Sequence, residues 1–274
     1  MNYTYKETVL EYKVYGAGIP ILFLHGWGMD YRIMKGCFEK VFEHSEMNYK
    51  RIYVDLPGMG RSVAGNSIHT SDDVLEVLYE FSKDIIGEPF ILVGESYGGY
   101  LARGFIHHYE ESVKGLVLLC PLVFPGKGEE IPLNVIERDS DFLNTLTKEE
   151  YDCFTYMNVI LTKPVWDQFK KDILPAIEEQ NKHFLEHVLD GAFSFDINEL
   201  PRPYRKPCLI IVGKQDTQVG YKDQFALLSQ FSNATYCAIN GAGHNMQIEQ
   251  PEFFEQIVTC WLRSNGLELG LELH

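Results

Sequence analysis

The stretch that most restricts what this chain can fold into is Gly94-Glu95-Ser96-Tyr97-Gly98, which follows the apolar run Ile91-Leu92-Val93. A serine between two glycines at a spacing of two, after a buried strand and before a helix, is the pattern of a nucleophile elbow. The strand-to-helix turn is so tight that a Cβ at either flank would clash. The same turn forces the serine into a strained backbone and pushes its hydroxyl out at the carboxyl end of the strand. A glycine-rich turn carrying a surface serine would read the same way, so the remaining segments have to decide between the two.

Apolar runs and amphipathic segments alternate on both sides of that motif. Residues 1–15 alternate loosely and stop at Gly16 and Gly18, as an antiparallel edge strand or hairpin would. Ile19 to Leu24 is an unbroken apolar run that halts at His25-Gly26-Trp27-Gly28, and a helix is expected over Tyr31 to His44. Arg51 to Val54 reads as a strand closed by the turn-rich Asp55-Leu56-Pro57-Gly58-Met59-Gly60-Arg61-Ser62. Ser71 is the expected N-cap of a helix whose apolar face carries Val74, Leu75, Val77, Leu78 and Phe81. A helix over Tyr97 to Tyr109 and a strand over Gly115 to Cys120 follow. The strand Cys208 to Val212, a helix over Tyr221 to Phe231, the strand Ala234 to Ile239 and a helix over Glu252 to Arg263 complete the alternation. Strands apolar throughout, alternating with helices, predict an α/β fold with a mostly parallel sheet covered on both faces. Nearly ninety residues separate Cys120 from Cys208, where a crossover needs about a dozen. Residues 121–204 are therefore expected to form an inserted helical lid, with 1–120 and 205–264 as the core and 265–274 as a tail outside the fold.

A serine hydroxyl is a weak nucleophile until an imidazole takes its proton, and the imidazole needs an acid to hold its tautomer. On such a sheet the order is serine, then acid, then histidine. Asp216 lies four residues past Val212, and His244 lies in the small-residue loop Gly241-Ala242-Gly243-His244-Asn245 after the next strand. Both fall at carboxyl ends of strands, where the catalytic groups of open α/β sheets collect. Asp223 is the nearest substitute acid but falls inside an expected helix. The backbone N–H groups of Tyr97 and Trp27 are the expected oxyanion donors, with His25 and Gly26 shaping the turn that aims the second. The pair His107-His108 is expected at the surface.

Charge and cysteine usage narrow the partners. The net charge of −15, with no basic stripe, argues against nucleic acid. Six cysteines without metal-ligand spacing read as buried free thiols in a reducing compartment. No signal peptide is evident at the start, and the longest apolar stretch, Gly115 to Phe124, is too short to span a bilayer, so a cytoplasmic protein without a membrane partner is expected. Residues 121–200 hold 7 Lys and Arg against 16 Asp and Glu, a net of −9. A negative rim tolerates neutral or cationic small-molecule substrates and repels anionic ones. The lid aromatics Phe142, Tyr151, Phe154, Tyr156, Trp166, Phe169 and Phe184 are expected to pack the lid onto the sheet, with lining of an acyl pocket as the other reading.

His25-Gly26-Trp27-Gly28, residues 55–62, Gly94 to Gly99, the Asp216 loop and Gly241 to His244 together resemble the α/β-hydrolase fold, over about Tyr5 to Arg263. The resemblance implies an eight-stranded sheet with one antiparallel strand, a Ser96–His244–Asp216 triad, and no metal or organic cofactor. Among serine members the chain is similar to carboxylesterases that carry the same His-Gly-Trp-Gly, to meta-cleavage-product C–C hydrolases and to proline iminopeptidases. The expectation is a serine hydrolase of a small neutral ester. An aminopeptidase, a C–C hydrolase and a non-catalytic ligand receptor on the same fold are the alternatives.

Overall fold

The apolar runs form the middle of one sheet. The structure is a computed structural model that describes residues 1–43, 45, 47–125, 131–189, 193–195 and 200–265. Its first half runs β1 (Asn2–Tyr5), β2 (Thr8–Tyr15), β3 (Ile19–Leu24), α1 (Tyr31–Glu43), β4 (Tyr49–Val54), α2 (Ser71–Phe81), β5 (Phe90–Glu95), α3 (Tyr97–Tyr109) and β6 (Val113–Leu119). The eight-stranded sheet has the order β1-β2-β4-β3-β5-β6-β9-β10, where β9 is Cys208–Gly213 and β10 is Ala234–Ile239. Only β2 runs against its neighbours β1 and β4, and the other pairs are parallel.

Strand periodicity sorts the core into two layers. Leu22 and Leu24 of β3, Leu92 of β5 and Leu116 and Leu118 of β6 pack with α2 and α3 through Leu75, Leu78, Leu101 and Phe105. Ile21, Phe23, Ile91, Val93 and Val117 face the other way, onto Phe38 of α1 and onto Phe254, Val258 and Trp261 of α10 (Pro251–Ser264). Each such buried aliphatic or aromatic side chain contributes about 1.5–3 kcal/mol. This is why the central strands lack the polar alternation seen in β2.

The strand order also makes a crevice. From β3 the chain moves to β4 on one side, whereas from β5 it moves to β6 on the other. The loops leaving β3 and β5 therefore part at the carboxyl edge, which is where open α/β sheets bind ligands. Residues 25–28 and 95–97 sit at that divide.

β6 pairs directly with β9, so everything between them loops out of the sheet. That segment holds β7 (Glu137–Arg138), α4 (Ser140–Leu143), α5 (Lys148–Thr155), β8 (Ile160–Leu161), α6 (Lys163–Asp172) and α7 (Leu174–Glu179). Phe154, Trp166 and Phe169 pack ring against ring at 5.3–5.8 Å between centroids and join the layer containing α1 and α10. No described helix is long and apolar enough to cross a membrane.

Three local expectations are corrected. Thr70, not Ser71, caps α2: its side chain accepts the Asp73 N–H while Asp73 accepts the Thr70 N–H, closing a capping box. The expected helix over Tyr221 to Phe231 is a short α8 (Lys222–Phe225) running into a 3-10 turn over Ala226–Ser229. The Gln230 carbonyl is drawn off to the Tyr204 N–H, and a bridge between Tyr204 and Phe231 stops the helix there. Of the six cysteines, all free, Cys37, Cys120 and Cys208 are buried, but Cys153 and Cys237 are half-buried and Cys260 is exposed on α10. The expected helix end at His44 and the tail from residue 266 lie outside the described residues.

Candidate active site

Ser96 follows β5 directly and has φ 52° and ψ −113°. A non-glycine residue held there costs about 1–3 kcal/mol and persists only when its surroundings fix it. They do so here: the Ser96 N–H donates to the Leu119 carbonyl, and the Ser96 carbonyl accepts from Tyr100 and Leu122. The flanking glycines are steric necessities. A Cβ on Gly94 would stand 2.3 Å from the Gly98 carbonyl oxygen, and one on Gly98 would stand 2.3 Å from the Leu24 carbonyl oxygen.

Two later loops bring an imidazole and a carboxylate to the serine. His244 Nε2 lies 3.0 Å from Ser96 Oγ, and its Nδ1 lies 2.8 Å from Asp216 Oδ2. Asp216 is fully buried, and its other oxygen accepts the N–H groups of Gln218 and Val219, which fixes the carboxylate plane. Gly213 lets the two loops meet, since a Cβ there would stand 2.1 Å from the Gly243 carbonyl oxygen. Asp223, in α8, makes no such contact with His244 among the described bonds. Burial pushes the His244 pKa down, but the charge and hydrogen bond of Asp216, with Glu95 and Glu249 behind it, push it further up, to about 9.

The loop after β3 is tied down by its own histidine. Burial lowers the His25 pKa and keeps the ring neutral. Its Nδ1–H donates to the Gly26 carbonyl at 2.8 Å and its Nε2 accepts the Leu56 N–H at 2.9 Å. That staples residues 25–28 to the turn over 55–62. Neither the Trp27 nor the Tyr97 N–H donates to a backbone or side-chain acceptor among the described residues. The Trp27 and Tyr97 rings meet edge to face at 5.1 Å, and the Tyr97 hydroxyl lies 2.9 Å from Ser71 Oγ. His107 and His108 sit at the far end of α3, away from this site.

A cleft of about 600 Å³ opens over Ser96 and His244. Its walls are largely apolar, with Met29 and Ile33 below and Met157, Phe169, Ile173 and Ile177 from the insertion above. Of the aromatics named from the sequence, Tyr156 and Phe169 line it, while Phe154 and Trp166 pack beneath. No lysine or arginine is among its described lining residues. Glu95 also lines it, 3.5 Å from His244 Nε2 through Oε1. Burial raises the Glu95 carboxyl to about 7, against the opposing pull of His244. Glu95 is not among the site residues expected from the sequence; its signal there is a charged residue closing an otherwise apolar strand. Among the described residues, Cys120, Asp216 and His244 form a group of three whose ligand-type atoms lie within 4.8 Å of one another. Two of them are already hydrogen-bonded to each other, which makes this a proton-handling cluster.

Comparison with known proteins agrees with this architecture. Residues 21–257 match the model of the alpha/beta hydrolase family. The chain is 30% identical to a pimeloyl-[acyl-carrier protein] methyl ester esterase of Pseudoalteromonas atlantica, over 90% of this chain and 96% of that one. It is 24% identical to a biotin biosynthesis bifunctional protein BioHC of Teredinibacter turnerae over 91% of this chain, but spans only 45% of that longer protein. Among solved structures, an alpha/beta superfamily hydrolase from Oenococcus oeni PSU-1 superposes with a TM-score of 0.82 at 32% identity, covering 96% of this chain and 98% of the other. A family model matched over most of the chain, and a relative 30% identical over 90% of this chain and 96% of its own, mean that the chain belongs to the alpha/beta hydrolase family.

Proposed function

We propose that the protein is a serine hydrolase that cleaves a small, uncharged carboxylic ester with an apolar acyl group. The observation that carries this reading is the unbroken chain of contacts from Ser96 Oγ to His244 Nε2 to Asp216, at 3.0 and 2.8 Å. In the first step His244 takes the Ser96 proton as Oγ bonds to the ester carbon, and the carbonyl electrons move onto oxygen. The N–H groups of Trp27 and Tyr97 hold that oxyanion. As the carbon–oxygen bond to the alcohol breaks, the imidazolium returns the proton to the leaving oxygen. Water, deprotonated by the same imidazole, then releases the acid from Ser96. Asp216 holds the Nδ1–H tautomer and stabilises the imidazolium.

The cleft supports this substrate class. Its apolar walls favour a hydrocarbon acyl chain at about 0.8 kcal/mol per buried methylene. Among the described residues, no lysine or arginine lines it to pair with a carboxylate or phosphate. That argues against an acyl group that itself carries a carboxylate or phosphate, although a relative is named for a pimeloyl-[acyl-carrier protein] methyl ester. We read 121–204 as the lid over this cleft, and a reducing compartment such as the cytoplasm suits six free thiols.

The test is reaction with a phosphonofluoridate probe, followed by peptide mass analysis, beside a panel of p-nitrophenyl esters, aminoacyl anilides and vinylogous diketones. Labelling at Ser96 with turnover of the neutral esters is expected. Labelling with cleavage of the diketones alone would move the reaction to carbon–carbon bonds. An unlabelled Ser96 would leave a ligand receptor.

A further inference from the structure

The crevice holds one carboxyl more than the reaction above uses. Glu95 ends β5, immediately before Ser96, and is 2% exposed. Its Oε1 lies 3.5 Å from His244 Nε2, the same nitrogen that faces Ser96 Oγ at 3.0 Å. Its Oε2 is buried without a hydrogen-bond partner among the described residues and is pressed against Gly26, where an added Cβ would stand 2.4 Å away. A carboxylate buried this incompletely satisfied costs several kcal/mol, so it holds a proton up to about pH 7 and above that needs a positive charge beside it. The other titratable groups facing the pair are Asp216 after β9, Glu249 of α9 (Met246–Glu249), Cys37 of α1 and Cys120 after β6. Two are acidic, and burial holds the two thiols neutral. Among these neighbours, His244 alone can supply positive charge, and only when protonated.

We propose that Glu95 is a positioning residue for His244: it competes with Ser96 for the Nε2 proton and thereby sets the pH at which the imidazole becomes free to act as a base. The proposal rests on the serine-hydrolase reading above. In the resting enzyme between about pH 7 and 9, where Glu95 is ionised despite its burial and the ring still holds its proton, the Nε2–H is directed to Glu95, and the ring cannot accept the Ser96 proton. Once that ring proton is lost at higher pH, the ring turns its lone pair to Ser96 Oγ. During attack the proton passes from Oγ to Nε2 and leaves on the alcohol. Glu95 acts on it through its charge at 3.5 Å and takes no net proton, so the balance of the two steps is unchanged. The carboxylate stabilises the imidazolium in the transition state, at the expense of activity on the acid side.

The experiment follows two rates from pH 5 to 10 in the wild type, Glu95→Gln and Glu95→Asp. One is Ser96 labelling by an uncharged phosphonofluoridate, and the other is kcat/KM for an uncharged p-nitrophenyl ester. Removing an opposite charge within hydrogen-bond range of a histidine lowers its pKa by about 1 unit or more. Glu95→Gln should therefore move the acid limb of both profiles down by about that much and lower the plateau several-fold. Glu95→Asp, which withdraws the carboxylate by one methylene, should move the limb part of the way. A folded Glu95→Gln protein whose acid limb stays in the wild-type position overturns the proposal and leaves the serine-hydrolase reading intact. A wild type unlabelled at every pH overturns both. Should Glu95→Gln not fold, ring-labelled His244 followed by NMR in Ser96→Ala decides the matter. A His244 titration moved to lower pH when Glu95→Asp is added supports the proposal, and an unmoved one overturns it.

Discussion

Glu249 Oε2 accepts the Gly243 N–H at 2.6 Å, one residue before His244, while its Oε1 takes the N–H groups of Val159 and Ile160 in the insertion. One buried carboxylate thus fastens the loop that presents the imidazole to the segment that turns back over the cleft. Asn245 adds a second stitch across the same seam, donating to Asn158 Oδ1 at 3.0 Å.

Replacing Glu249 with glutamine keeps the volume but points an amide N–H₂ at a backbone N–H. An orphaned buried donor costs about 1–3 kcal/mol. At the expected 2–4 °C per kcal/mol for a chain of this size, thermal unfolding of Glu249→Gln should begin several degrees early. Ester turnover should fall with it, because the His244 loop loses its anchor. An unchanged melting temperature would mean that the seam contributes little.

Ser96→Ala should remove covalent labelling and cost several orders of magnitude in kcat. The fold should survive, since the positions that enforce the elbow are Gly94 and Gly98 and alanine still fits at 96. A well-folded mutant that retains more than about a tenth of wild-type ester hydrolysis, against the far larger loss a nucleophile's removal causes, would displace Ser96 from its role.

How much of this was legible before the structure depends on the range of the interaction. The elbow is a local steric demand, so Gly94, Ser96 and Gly98 announce it in five letters. Asp216 and His244 are legible because strand ends and chain order bring them to one edge. Glu95 was not, since whether a carboxyl after a strand meets solvent or an imidazole depends on a loop 149 residues away closing over it. The N-cap of α2 was misread by one residue because Thr70 and Ser71 are equivalent candidates until Asp73 selects its reciprocal partner. Ser71 instead faces the Tyr97 hydroxyl. Which lid aromatics reach the cleft is likewise set by packing: Phe154 and Trp166 are consumed by each other, and Tyr156, three residues before the Glu249 seam, is left facing the opening.

The pH dependence should reflect an imidazole raised above its ordinary value. Proton abstraction needs the neutral ring, and the carboxylates around His244 favour the charged ring, to about 9. The sign follows directly: kcat/KM for an uncharged ester should be low at pH 6 and climb toward pH 9, above the range of 6 to 7 usual for an unperturbed histidine base. A profile already flat from pH 6 upward would show that the carboxylates do not hold the ring proton.

The charge of the insertion should discriminate among leaving groups. Its net of −9 over residues 121–200 includes lysines already paired on its surface, such as Lys148 with Asp152 and Lys163 with Asp167. Such exposed pairs contribute little to stability, but they leave the unpaired acids to set the local potential. No lysine or arginine among the described cleft-lining residues offsets it. Two esters sharing an acyl group, one with an ammonium and one with a carboxylate on the leaving group, isolate the effect. The ammonium ester should have the higher kcat/KM at low salt. The ratio should fall as the Debye length shortens from about 30 Å at 0.01 M to about 8 Å at 0.15 M. A ratio at or below unity at low salt, or one that salt does not change, would reduce the acidic insertion to a solvated surface. A ratio that salt does abolish would locate the selectivity in the long-range field, because a direct contact with the buried Glu95 inside the cleft would be screened far less.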